Sequence, residues 1–180
     1  MISIRDETTD DKDQILRVTV DAFDNSEIGH NGEAELIDSL RAQCANQLSI
    51  VACSEIEIVG HILFTPVVVQ TSQNKSDGMG LAPLSVKPQY QHAGVGSSLV
   101  TIGLRRLFDD GCPFVVVLGH PRYYPRFGFR RASQFGISHG FSGIPQDVFF
   151  IQLGPTGTMS ALIGGMAHYR REFGRQYDGK

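Results

Sequence analysis

Residues 81–100 read LAPLSVKPQYQHAGVGSSLV. The short apolar run Leu81–Val86 stops at Lys87-Pro88, where proline withdraws a backbone donor and opposes further strand. Gly94 and Gly96 then bracket Val95, and Ser97 and Ser98 follow. From Val95 onward, Val95, Leu99, Ile102, Leu107 and Phe108 recur at helical spacing until Asp109-Asp110-Gly111 ends the pattern. Beyond it, PFVVVLG (113–119) is a continuous apolar run, the signature of a strand covered on both faces. Strand, glycine turn, helix and strand make a crossover unit from Leu81 to Leu118, expected to be right-handed with its two strands parallel.

The flanking sequence supplies more sheet and fewer helices. ISIRDET opens the chain as a short strand by alternation. TTDDKDQILRVTVDAF follows as a helix: Thr8 or Thr9 caps it, Asp10, Asp11 and Asp13 favour its first turn, and Ile15, Val18 and Ala22 share a face. DNSEIGHNGE reads as a loop, and EAELIDSLRAQ as a second helix with Leu36, Ile37 and Leu40 inward. LSIVACSEIEIVGHILFTPVVVQ gives two β-branched strands turning near Ser54–Glu57, with Pro66 at a bulge or edge position. TSQNKSDGMG reads as a polar connection, HPRYYPRFGFRRAS as a compact turn or short helix, and DVFFIQL as another strand. The tail has an amphipathic portion and a polar end. Its His168-Tyr169 pair carries no reading from sequence.

The bulk numbers bound the possibilities. With 180 residues, 41% hydrophobic and 19% charged, residues 1–180 are expected to form one α/β domain with a mixed sheet. A net charge of -3 gives no general attraction to nucleic acid or to an anionic membrane. Cys44, Cys53 and Cys112 are odd in number and show no CxxC pattern, as expected for reduced thiols in a cytoplasmic protein that holds no metal. MISIRDETTDDKDQ carries acids and lacks an apolar core, so no signal peptide is expected, and no apolar run approaches the roughly 20 residues of a membrane helix.

Glycines entering a helix suggest a phosphate site. A Walker loop would need a lysine to reach the outer phosphates, and none is present. A dinucleotide fingerprint would need a third glycine where Leu99 stands, directly after a strand. Glycines that merely allow a turn remain an alternative. The longer pattern Gln91-x-x-Gly94-x-Gly96, after a strand and before a helix, resembles the pyrophosphate motif of the GNAT superfamily of acyl-CoA-dependent N-acetyltransferases. YYPRFGF (123–129) is similar to that superfamily's Tyr-x-x-x-Gly-Phe segment, with Tyr124 four residues before Gly128. VGHILFTPV and VLGHPRYYPRFGF extend the likeness, which is greatest to the YhbS-like subgroup. One departure is His120-Pro121, where an asparagine is common.

The resemblance implies a central, mostly antiparallel sheet of about six to seven strands with a splayed parallel pair, flanked by about four helices. It implies acetyl transfer from acetyl-CoA to a primary amine of a small molecule or peptide, by direct attack in a ternary complex. Cofactor contacts fall on Leu84, Ser85, Val86, Gln91, His92, Ala93, Gly94, Val95, Gly96, Ser97, His120, Tyr124 and Phe127. The Val86 N–H would polarise the thiolester carbonyl, and Tyr124 would protonate the departing thiolate. For the general base, Glu33, Glu35, His61, His120 and a water chain stay open, with Glu33 the single choice. Asp24, Glu27, His30, Glu33 and Glu35 give the expected acceptor segment an acidic surplus that suits a cationic amine. Arg122, Arg126, Arg130 and Arg131 could meet the adenosine end or be surface charge, while Arg105-Arg106 reads as a solvated helix face and Met159 and Met166 as core. A monomer or a homodimer fits equally. The alternative is a non-catalytic acyl-CoA-binding or regulatory module.

Overall fold

The computed structural model describes residues 1–23 and 32–174. They form two compact units: Met1–Phe64 with Ala82–Gly103, and Thr65–Leu81 with the chain from Leu104 onward. The strands, in chain order, are β1 (Ser3–Asp6), β2 (Leu48–Cys53), β3 (Ile58–Gln70), β4 (Lys75–Val86), β5 (Phe114–Leu118), β6 (Arg130–Arg131), β7 (Ser138–His139), β8 (Phe149–Leu153) and β9 (Met166–His168). The helices are α1 (Lys12–Phe23), α2 (Glu33–Gln43) and α3 (Val95–Asp109). The strand order is β1-β2-β3-β4-β5-β8-β6, with β9 joining β3 and β7.

In the first unit, β1 and β2 pair antiparallel, as do β2 and β3 up to Leu48 opposite Phe64. The turn expected near Ser54–Glu57 closes with the Ser54 N–H donating to the Glu57 carbonyl at 2.8 Å. At the start of α1 a short 3₁₀ turn, Thr9–Asp11, precedes the helix. Thr8 donates both its N–H (2.7 Å) and its hydroxyl (2.9 Å) to Asp11. Arg5 of β1 grips the same carboxylate at 2.6 and 2.9 Å. Ile15 and Val18 of α1 and Ile37 and Leu40 of α2 are wholly or almost wholly buried, each contributing about 1.5–3 kcal/mol.

The start of α3 is set by glycines on the facing strand and in the helix itself. A methyl group at Gly60 of β3 would meet Leu99 at 3.0 Å and Val95 at 3.1 Å, and one at Gly103 would overlap the Phe64 ring. Close backbone approach therefore locks the helix onto β3, and with it the direction in which its N-terminus points.

In the second unit, β4 and β5 pair in parallel over Met79–Leu81 and Val115–Val117, the crossover expected from sequence. β5 pairs antiparallel with β8, and β8 with β6. β9 pairs antiparallel with Val68–Gln70 of β3 and parallel with β7. The core here is aromatic and β-branched: Phe114, Val116, Phe149, Ile151, Ala132 and Ile137 are buried together. Pro66 lies between the β2 ladder, which ends at Phe64, and the β9 ladder, which starts at Val68.

Two expectations need correction. The described residues hold nine strands, not six to seven, and three α-helices, not about four. Lys75–Gly80 is not a connection but the first half of β4. Its glycines misled the reading because their purpose is tertiary: a methyl at Gly78 would meet the Phe114 ring at 2.5 Å. The tail, expected to have an amphipathic portion, is built over its described residues of 3₁₀ turns and β9. The loop residues Asp24, Glu27 and His30 lie outside the described residues.

Candidate acyl-transfer site

The end of β4 and the start of α3 bring Leu84–Val86 and Gln91–Ser97 together in the first unit. Burial alternates along the strand: Ser85 is fully buried while Leu84 and Val86 are half-buried. The Ser85 hydroxyl faces Thr19 of α1 at 3.4 Å, so this residue can offer a ligand only its backbone. Lys87 leaves the strand with its N–H on the Val59 carbonyl at 2.9 Å and its ammonium on Glu57. A 3₁₀ turn over Pro88–Tyr90 follows. The Gln91 side-chain amide then donates to the Val86 carbonyl at 3.0 Å. Gln91, first residue of the motif, is thereby tied to the strand end and acts as a brace for the loop.

Between Gln91 and α3 the backbone takes two left-handed steps, His92 at φ 60° and Gly94 at φ 87°. For histidine that conformation is unfavourable, and such outliers persist where the surroundings impose them, commonly at functional loops. Gly94 is required by its φ, not by crowding: nothing lies within 4 Å of where its side chain would begin. Gln91 to Gly94 are all exposed. The Gly94 carbonyl accepts the Ser98 N–H at 2.9 Å and so starts the helix. In an α-helix the N–H groups ahead of that bond have no intrahelical acceptor, and the dipole adds positive potential there. The loop thus presents exposed backbone with open space around Gly94 at the head of a helix. Glycine spacing in the sequence marked this turn and the start of α3. The strained His92 was not legible there.

The second unit presents His120, Tyr124 and Phe127 on one turn after β5. His120 is exposed, its carbonyl accepts the Tyr123 N–H at 3.0 Å, and its Nδ1 accepts the Arg122 N–H at 3.2 Å. It shapes the turn. Tyr124–Phe127 is a 3₁₀ turn that ends on Gly128 in the left-handed region (φ 93°). Tyr124 is buried, edge-on to Tyr123 (centroids 5.1 Å) and Phe129 (5.7 Å), while Phe127 packs on Tyr123 at 5.3 Å. A side chain at Gly119 would overlap the Tyr124 ring, so the chain just after β5 forms the floor under the phenol. Burial, and then the neighbouring Tyr123, push the Tyr124 phenol up, so it stays protonated throughout the neutral range. Arg126 stacks over Tyr123 at 4.5 Å and Arg130 over Phe135 at 4.6 Å, which gives two of the four arginines a packing role.

The candidate bases separate clearly. Glu33 is the first residue of α2, half-buried, and its carboxylate accepts the Gly32 N–H at 3.3 Å. Glu35, in the same turn, is exposed. His61 is fully buried within β3, so no solvent-borne acceptor reaches it. It belongs to a polar cluster in the first unit that the sequence did not reveal. His61 Nε2 lies 2.8 Å from the Ser49 hydroxyl, which bonds Glu7, and Arg41 of α2 holds Glu7 at 2.7 Å and Asp38 at 2.7 Å. Burial lowers the His61 pKa, so the ring is neutral. At Glu7, burial alone would raise the pKa, but the hydrogen bonds from His61, Ser49 and Arg41 outweigh it and bring it to about 2.

A crossover unit with a glycine loop at the head of α3, and a buried tyrosine on the turn after β5, are the features that the sequence shares with acyl-CoA-dependent transferases. Residues 3–132 match the family described as Acetyltransferase (GNAT) domain. The chain belongs to the GNAT acetyltransferase family. Among curated relatives, it is 40% identical over 121 residues to the uncharacterized N-acetyltransferase YjhQ of Escherichia coli K12, a match covering 66% of this chain and 64% of that protein. It is 30% identical to the uncharacterized N-acetyltransferase YhbS of the same organism, over 87% of this chain and 92% of that one. Among solved structures, Escherichia coli YhbS in complex with CoA aligns with a TM-score of 0.83 at 29% identity, over 97% and 92% of the two chains. A Brucella melitensis GNAT family acetyltransferase in complex with acetyl-CoA aligns with a TM-score of 0.77 at 31% identity, over 97% and 99%. Among the described residues no group of His, Cys, Asp or Glu is arranged to hold a metal ion, and no helix is long and apolar enough to cross a membrane.

Proposed function

We propose that the protein transfers the acetyl group of acetyl-CoA to a primary amine by direct attack, acting as one catalytic domain. The observation that carries this reading is the braced, outward-facing backbone loop Gln91–Ser97, whose family relatives include structures holding CoA and acetyl-CoA. The loop's N–H groups and the dipole of α3 would hold the diphosphate. Leu84–Val86 would hold the pantetheine arm by backbone contacts, with the Val86 N–H on the thiolester oxygen. The neutral amine attacks the carbonyl carbon, and the C–S bond breaks with its electron pair going to sulfur. Tyr124 passes its phenolic proton to that sulfur, and the ammonium formed on the product loses a proton to the base. Glu33 is the candidate for that base, directly or through water. His120 and Phe127 act by shaping the turn that carries Tyr124. Holding two reactants side by side supplies much of the rate.

A panel of primary amines, assayed with acetyl-CoA by release of free thiol, tests the reading. Turnover of at least one amine, with acetyl-CoA bound at micromolar to millimolar concentration, is the expected result. Absence of acetyl-CoA binding up to millimolar concentration contradicts it. Binding with no turnover on any amine selects the non-catalytic module instead.

A further inference from the structure

Charge is unevenly placed in the second unit. Residues 111–146 contain no Asp or Glu, although the chain carries 19 of them and a net charge of -3. Four of its 16 lysines and arginines, Arg122, Arg126, Arg130 and Arg131, crowd into that stretch. Arg122 and Arg126 stand two residues to either side of Tyr124, and Arg130 and Arg131 form β6 soon after the turn. All four are exposed. Among the described residues none of them pairs with a carboxylate, whereas Arg5 and Arg41 each hold one. Unneutralised, the four make a positive potential beside Tyr124 on a chain that is negative overall.

Two of these guanidinium groups are held in place by their own surroundings. Arg126 donates from Nε to the Tyr123 carbonyl at 3.2 Å and stacks over the rings of Tyr123 and Phe127 at 4.5 and 5.4 Å. Arg130 stacks over Phe135 at 4.6 Å. The turn beneath is closed by the Tyr123 N–H on the His120 carbonyl at 3.0 Å and the Gly128 N–H on the Pro125 carbonyl at 3.1 Å. A stacked guanidinium keeps its outer N–H groups for a partner and loses less freedom when the partner arrives. Each can grip one carboxylate through two parallel hydrogen bonds, so four of them suit several carboxylates strung along a chain. A nucleic acid is the poorer fit: its uniform, extended charge would also meet the acidic remainder of the protein.

We propose that the acceptor amine is carried by an acidic polypeptide segment, whose carboxylates dock on Arg122, Arg126, Arg130 and Arg131. The inference rests on the acetyl-transfer reading and names its substrate class. A polypeptide supplies the primary amine as a lysine side chain or an N-terminus. Docking beside the turn that carries Tyr124 raises the local concentration of that amine. The attraction is between exposed charges, so salt screens it.

Thiol release from acetyl-CoA tests this with three acceptors: hydroxylamine and two peptides of equal length. Each peptide has a free N-terminus and one lysine, flanked by glutamates in one and by glutamines in the other. The native protein should show kcat/KM about tenfold higher for the glutamate peptide at low salt, with the preference shrinking as salt is raised. The triple variant Arg122→Gln, Arg130→Gln, Arg131→Gln should lose the preference, while its hydroxylamine rate and its KM for acetyl-CoA stay within about twofold of native. Equal kcat/KM for the two peptides, or turnover of hydroxylamine but of neither peptide, overturns this inference alone. A raised KM for acetyl-CoA in the variant assigns the arginines to the cofactor and also overturns it. So does stronger inhibition by a single-stranded RNA than by the glutamate peptide, which makes nucleic acid the partner. No thiol release with any acceptor overturns the inference together with the acetyl-transfer reading. If the triple variant fails to fold, the native salt series decides, and a preference that salt leaves unchanged is the contrary result.

Discussion

The loop Gln91–Ser97 and the turn Tyr124–Gly128 sit at opposite extremes of how a chain can build a functional group. In the loop, the proposed chemistry is backbone N–H, left-handed φ and a helix dipole, and Gln91 to Gly94 are exposed. In the turn, the proposed chemistry is one phenol, buried among Tyr123, Phe129 and the bare floor at Gly119. The first kind of site depends on local sequence, the second on tertiary surroundings. Substitutions in the loop should therefore move cofactor affinity, and substitutions around the turn should move turnover.

The largest expected effect breaks the turn. Tyr124→Phe should lower kcat by about 10²-fold while the acetyl-CoA Kd changes less than about twofold, read by thiol release and calorimetry. An equal loss in both quantities would erase the proposed division of labour. Next comes the loop: Gly94→Val forces a β-branched residue to φ 87°, and acetyl-CoA affinity should drop by roughly tenfold or more, with the melting temperature nearly unchanged. Gln91→Ala removes one side-chain brace worth about 1 kcal/mol and should weaken acetyl-CoA binding about fivefold without affecting kcat.

How much of this was legible follows the same contrast. The crossover, the glycine loop before α3 and the turn that carries Tyr124 were readable because glycine spacing and apolar runs act within a few residues of themselves. The first half of β4 was not: Gly78 and Gly80 look like turn residues, yet they are bare because Phe114, Val67 and Tyr169 occupy the space. His61 looked like a titrating candidate base, but its partners Ser49 and Glu7 come from β2 and from the residue after β1, more than ten residues away. Tyr169 had no local pattern at all, since its place is set by β9 pairing nearly a hundred residues back along the chain with Val68–Gln70.

The smallest effect concerns the polar cluster of the first unit and is read from stability, not activity. Glu7 is lowered from 4.5 to about 2 in the folded protein, so its contribution is fully present above pH 4.5 and is lost as pH falls toward 2. His61 is also lowered, so the unfolded chain takes up a proton first and stability begins to fall as pH drops below 6.5. Chemical unfolding of Glu7→Gln should show a loss of about 1–3 kcal/mol at pH 7 and a flatter slope between pH 4.5 and 2. An unaltered slope would mean that another carboxylate governs that window.

The central claim is that backbone groups of the Gln91–Ser97 loop hold the diphosphate of acetyl-CoA. Amide chemical shifts of the isotopically labelled protein during acetyl-CoA titration test it most directly. The account predicts large, saturable shifts at the amides of His92 to Ser97, reproduced by CoA and abolished in Gly94→Val. Saturable binding that leaves those amides unmoved would contradict it.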